Sequence, residues 1–96
     1  MEVHHIELVA SGDFAPSEEL VIAVGDHLEA TPGIVDPIVS ADIRAGTIDI
    51  MVEIHDPSPI AARVLAARAF GAALVAAGAI DEWQIESERV RRAVLA

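Results

Sequence analysis

The chain has 96 residues, of which 53% are hydrophobic, and its formal net charge is −10 at pH 7. Because 16 acidic residues outnumber 6 basic ones, the chain lacks the basic surface that binds nucleic acid or an anionic membrane. The absence of cysteine excludes disulfides, thiol catalysis and cysteine-based zinc sites. We expect one soluble, cytoplasmic domain with a well-filled core, whose acidity also suits adaptation to salt.

The first half of the chain predicts two strands around a helix. Hydrophobic alternation from Val3 to Ala10 indicates a strand. Acidic residues at 18 and 19 suit the positive end of a helix dipole, and Thr31-Pro32-Gly33 ends that helix. The β-branched stretch from Ile34 to Arg44 predicts a second strand. Pro37 within this stretch indicates an edge strand or a bulge.

The second half predicts a strand, a helix and a last short strand. Strict alternation from Thr47 to His55 is typical of a strand, and the second helix follows from about residue 56 to Ala77 or Gly78. Trp83 to Glu86 alternates again, and we expect Arg89–Ala96 to form a basic tail with at most one helical turn.

The second helix is apolar on nearly every side, and we expect its larger side chains and its glycines to face the sheet. The predicted inward stripe is Ile60, Val64, Ala67, Gly71, Leu74, Val75 and Gly78. The predicted outward face is Ala62, Ala66, Ala69, Ala73, Ala76 and Ala77. Such an alanine face forms either a rigid exposed surface or a flat surface for another helix.

The β-α-β-β-α-β order predicts an α+β domain over residues 1–88, with the tail at 89–96. Right-handed connections give a four-stranded antiparallel sheet in the order 4-1-3-2, with two helices on one face. This order resembles the ferredoxin-like, split-βαβ architecture. The hairpin from Thr31 to Ile50 also resembles that of ACT-type regulatory modules, which implies a small effector bound at a subunit interface.

The predicted topology brings four polar residues together on the outer face of the sheet, away from the helices. Since the first and third strands are antiparallel neighbours, His5 lies near Glu53 or His55, with Glu7 a step further along. We treat these four as candidate ligand-binding residues. Two imidazoles and two carboxylates suit acid–base chemistry, or a divalent ion such as Zn²⁺ on His5 and His55. Ordinary polar decoration of an outer face is the alternative.

The same outer face carries apolar side chains that a monomer leaves exposed. The predicted interface residues are Val3, Val9, Ile38 and Met51. They favour a homodimer in which two sheets pack face to face. A covering loop or the C-terminal tail would also explain them.

Two functions are compatible with these patterns. No catalytic motif is visible and no cofactor is expected, so the first is a small oligomeric binding or regulatory module that takes a protein or a small ligand. The second is a small cofactor-free dimeric enzyme, of the isomerase or monooxygenase kind, that uses the histidines and glutamates of the outer face.

Overall fold

The structure is a computed structural model that describes residues 2–12 and 17–78, and the backbone of residues 83–92. It is an α+β fold with the element order β-α-β-β-α. The elements are β1 (Val3–Gly12), α1 (Glu18–Glu29), β2 (Val35–Asp42), β3 (Thr47–His55) and α2 (Pro59–Ala76). The element order, three antiparallel strands and two helices are compatible with a ferredoxin-like fold.

The three strands form an antiparallel sheet in the order β2-β3-β1. β1 and β3 pair without interruption, from Val3 opposite His55 to Ser11 opposite Thr47. The pairing of β2 with β3 shifts register between Val35 and Ile38. This register shift confirms the irregularity predicted at Pro37. Its physical cause is that proline cannot donate a ladder hydrogen bond.

The prediction of a four-stranded antiparallel sheet in the order 4-1-3-2 is corrected to a core sheet of three strands, β2-β3-β1. Every strand residue in the described hydrophobic core belongs to β1 or β3, and β2 adds the partly buried Val39. The backbone of a further extended segment, β4 (Trp83–Arg92), runs antiparallel along the other edge of β1. The backbone stays extended after Arg89, where a helical turn was expected, and residues 93–96 of the predicted tail lie outside the described residues.

Serine side chains cap both helices. The Ser17 hydroxyl accepts a hydrogen bond from the backbone N–H of Leu20 at 3.1 Å, which satisfies one free donor at the start of α1. The Ser58 hydroxyl accepts from the backbone N–H of Ala61 at 3.2 Å at the start of α2. Pro59 follows this cap in the first turn, where its missing N–H is harmless. These caps define where each helix begins.

The orientation predicted for α2 is wrong. The buried residues of α2 are Ala62, Ala66, Ala69, Phe70, Ala73 and Leu74. Of the predicted inward stripe, only Leu74 is buried, and the larger residues Ile60, Val64 and Val75 are exposed. Alanine faces the sheet because its small side chain lets the helix approach the bulky isoleucines of β3, while Phe70 fills the remaining space.

Candidate functional site: the outer face of the sheet

The predicted juxtaposition of His5, Glu53 and His55 is present in the structure. His5 on β1 is the register partner of Glu53 on β3. His55 follows Glu53 by two residues, so both side chains leave β3 on the same face. The Glu53 carboxylate lies between the two imidazoles, with Oε1 3.2 Å from Nε2 of His5 and Oε2 2.8 Å from Nε2 of His55. We call these three residues the His–Glu–His cluster.

The cluster is half-exposed, and its carboxyl group is the most buried member. Hydrogen bonds from His55 and then His5 lower the pKa of Glu53 from its ordinary value of 4.5, against the opposing effect of burial. Glu53 is therefore a carboxylate at neutral pH. It accepts a hydrogen bond on each oxygen, one from His55 and one from His5.

Glu7 lies on the same face but is separate from the cluster. Its register partner on β3 is Met51, and its partner in the backbone pairing with β4 is Arg89. Glu7 lines a neighbouring depression instead of the one beside Glu53. The structure thus brings together three of the four predicted ligand-binding residues.

Two shallow depressions on this face share Ile38 and Met51, which are themselves register partners. The first, of about 270 Å³, is lined by Glu7, Leu8, Val9, Ile38, Ser40, Asp49, Ile50 and Met51. The second, of about 210 Å³, is lined by His5, Asp36, Ile38, Met51, Val52 and Glu53. Of the predicted interface residues, Val9, Ile38 and Met51 line these depressions. Val3 lies at the strand end, opposite His55.

Asp36 is a site residue that sequence reasoning missed. Its backbone has a φ of 47° in the irregular segment of β2, a left-handed conformation that aspartate tolerates better than most residues. This irregularity places Asp36 beside His5 and Glu53 in the lining of the second depression. The available signal was Pro37, which indicated a bulge without showing which side chain it would redirect.

His4 is buried on the opposite side of β1. Its Nε2 lies 2.9 Å from the backbone carbonyl of Asp56, which ties β1 to the segment before α2. Its Nδ1 is buried and has no hydrogen-bond partner within residues 2–12 and 17–78. His4 and His5 therefore act separately, as expected for neighbours in a strand.

Hydrogen bonds account for the contacts among the polar groups of the cluster. In the described part of the chain, no group of three or more histidine, aspartate or glutamate residues is placed to hold a metal ion. Both imidazoles of the cluster point a nitrogen at Glu53. The hypothesis of a divalent ion on His5 and His55 gains no support from this geometry.

Comparison with known proteins gives no assignment. No protein family matches the chain, and no curated protein matches it. The function is therefore inferred from the residues of the outer face, because a fold by itself does not specify a function.

Proposed function

We propose that the protein is a non-enzymatic binding module that forms a homodimer through the outer face of its sheet. The observation that carries this proposal is the pair Ile38 and Met51, which are register partners in the sheet and 61% and 38% exposed. Exposed apolar side chains that adjoin one another indicate an interaction surface, unlike scattered ones. Val9 extends this apolar surface along β1.

A second copy fits this surface in size. Strands lie about 4.8 Å apart and rise about 3.3 Å per residue, so three strands of 8 to 10 residues form a face of roughly 400 Å² in projection. Side-chain relief enlarges that area, which brings two facing copies to about the 1,000 Å² that marks the lower limit of specific interfaces. Sheets packed in this way lie about 10 Å apart.

A sheet-to-sheet dimer also supplies a binding cavity. The two depressions of about 270 and 210 Å³ are open on the outer face, and a facing copy would enclose them. The resulting space combines apolar walls at Ile38 and Met51 with a few polar groups at the His–Glu–His cluster, a lining that suits a small organic ligand. The resemblance to ACT-type modules, which bind effectors between subunits, fits this arrangement.

Met51→Glu tests the dimer. We expect this variant to be monomeric by sedimentation equilibrium, because the new carboxylate would be buried near Asp49 and Glu53 without a partner. Ile43→Glu is the matched control, since Ile43 is 71% exposed in the β2–β3 turn. The control should keep the wild-type mass. A Met51→Glu variant with the wild-type mass would show that the sheet face is not the interface.

The remaining functional expectations stay predictions. The His–Glu–His cluster is chemically capable of proton transfer, and this keeps the cofactor-free dimeric enzyme as the alternative function.

The predicted cytoplasmic location and the predicted absence of nucleic-acid and membrane partners rest on composition. A protein segment, in place of a small ligand, is the other occupant that the apolar depressions would accept.

A further inference from the structure

The second depression of the outer face has a polar end and an apolar end. Its polar end carries His5, Asp36 and Glu53, and Ile38 and Met51 form its apolar wall. Met51 and Glu53 are two residues apart on β3, so about 7 Å of strand separates the two ends. Its volume of about 210 Å³ is below the roughly 300–1,000 Å³ of pockets for drug-sized ligands. The depression therefore suits a small ligand with a polar group at one end.

Carboxylates dominate the charge at the polar end. The Asp36 carboxylate is exposed and forms no hydrogen bond or ion pair with any residue that the structure describes. The Glu53 carboxylate accepts one hydrogen bond on each oxygen, and a carboxylate offers about four acceptor positions, so two remain for a ligand. In the backbone pairing, Arg91 is opposite His5 on the side of β1 away from β2. The polar end therefore attracts a cation and repels an anion.

An organic cation suits this lining better than a metal ion. Within residues 2–12 and 17–78, the polar side chains are not placed to hold one metal ion together. An ammonium group carries three N–H donors, which separate acceptors can receive. A hydrocarbon body attached to it would cover Ile38 and Met51, which are exposed in a single copy. Both ends of the depression are thus matched by an amine on a short hydrocarbon body.

We propose that the second depression binds a small primary amine, with the ammonium group between Asp36 and Glu53 and the hydrocarbon body on Ile38 and Met51. The inference rests on the proposed function, because the facing copy of the dimer closes the depression over the ligand. A closed depression holds a free molecule and excludes the side chain of a longer segment. Exclusion of water also strengthens the attraction between the ammonium group and the carboxylates.

The amine also favours the dimer. Face-to-face packing brings together the carboxylates of two copies, each with a formal charge of −10. Each bound ammonium group offsets one negative charge at this contact. A ligand that binds one state more tightly than another stabilises that state. Amine binding and dimer formation should therefore promote each other.

Three ligands with the same ring separate the effect of charge from that of apolar burial. They are benzylamine, benzyl alcohol and sodium benzoate, each titrated into wild-type protein at neutral pH and constant ionic strength. Amide NMR signals report the binding. We expect benzylamine to shift the signals of Asp36 and Glu53 and to bind at least about tenfold more tightly than the other two, because hydrogen bonds to charged groups are the strong ones. Equal affinity for benzylamine and benzyl alcohol, or tighter binding of benzoate, would overturn the proposal.

Asp36→Asn tests the carboxylate that the irregular segment of β2 brings to the site. Asparagine, like aspartate, tolerates the φ of 47° at this position, so the backbone should be retained. We expect the affinity for benzylamine to fall about tenfold. Asp26→Asn is the matched control, since it removes the same charge from an exposed position on α1. An equal loss in both variants would show a response to net charge alone and would overturn the site.

Sedimentation equilibrium distinguishes failure of this inference from failure of the proposed dimer. At a protein concentration where monomer and dimer coexist, and at constant ionic strength, benzylamine should raise the dimer fraction of the wild type. Equal dimer fractions with benzylamine and benzyl alcohol would overturn the linkage and leave the dimer standing. A wild type that stays monomeric at every concentration would overturn the dimer, while the titration of Asp36→Asn would still decide whether the depression binds the amine.

Discussion

At the scale of the residue, Glu53 decides the chemistry of the outer face. Both of its carboxylate oxygens are engaged, at 2.8 Å with His55 and at 3.2 Å with His5. Because these contacts lower the pKa of Glu53 in the folded chain, they stabilise the fold at pH values above the ordinary 4.5. That contribution is lost as the pH falls through the lowered folded value.

Removal of His55 tests this account. In His55→Ala, the pKa of Glu53 should rise towards its ordinary value of 4.5, because the strongest of the lowering interactions is gone. The shift should exceed that in His5→Ala, which removes the longer contact. A titration of the Glu53 carboxyl carbon by NMR measures both, with His27→Ala on α1 as the control. Equal pKa values in all three variants would contradict the cluster.

At the scale of the element, α2 shows that side-chain size, and not hydrophobicity alone, selects the buried face of a helix. Ala66 is fully buried, and the larger Val64 is exposed. The close approach of helix and sheet leaves no room for a longer side chain at the buried alanines. The outer face is then available for contact with other molecules.

Ala66→Leu should therefore destabilise the fold, and Ala72→Leu should not. Overpacking a filled core costs about 1–3 kcal/mol, whereas substitutions on an exposed helix surface stay within about 0.5 kcal/mol. Urea unfolding of both variants in the Met51→Glu background measures the difference without a contribution from the sheet-face contact. A loss of stability in Ala72→Leu as large as in Ala66→Leu would refute the orientation of α2.

At the scale of the whole molecule, charge opposes the association that the apolar faces favour. Residues 1–60 hold 12 acidic residues and one arginine, whereas residues 61–96 hold 4 acidic residues and 5 arginines. The negative charge thus belongs almost entirely to the first 60 residues, which contribute most of the sheet. Any assembly of this chain is a balance between burial of apolar surface and mutual repulsion.

Salt should shift that balance towards assembly. Raising the ionic strength from about 0.01 M to 1 M shortens the screening length from about 30 Å to about 3 Å. Repulsion between copies then falls, while apolar burial is retained, so the weight-average mass in sedimentation should increase with salt. A mass that decreases with salt would show that ion pairs, and not apolar surfaces, hold the copies together.

The sequence by itself determined the α+β class and the antiparallel pairing of β1 with β3. The contact between His5 and Glu53 follows from that pairing. A period of two fixes which side chains share a sheet face, so this part of the site follows from alternation and pairing. It also indicated an edge strand or a bulge at Pro37, because proline cannot donate a ladder hydrogen bond. The apolar residues of the outer face were recognisable for the same reason.

Only the tertiary structure decided which face of α2 is buried, how many strands carry the described core, and that Asp36 joins the site. α2 has only Arg63 and Arg68 to mark its outer side, so its orientation depends mainly on the space that the sheet leaves. Likewise, the direction of Asp36 depends on a local backbone conformation that propensity does not encode. Where polar and apolar residues alternate, periodicity shows which residues share the buried face. Where they do not alternate, close packing determines which face is buried.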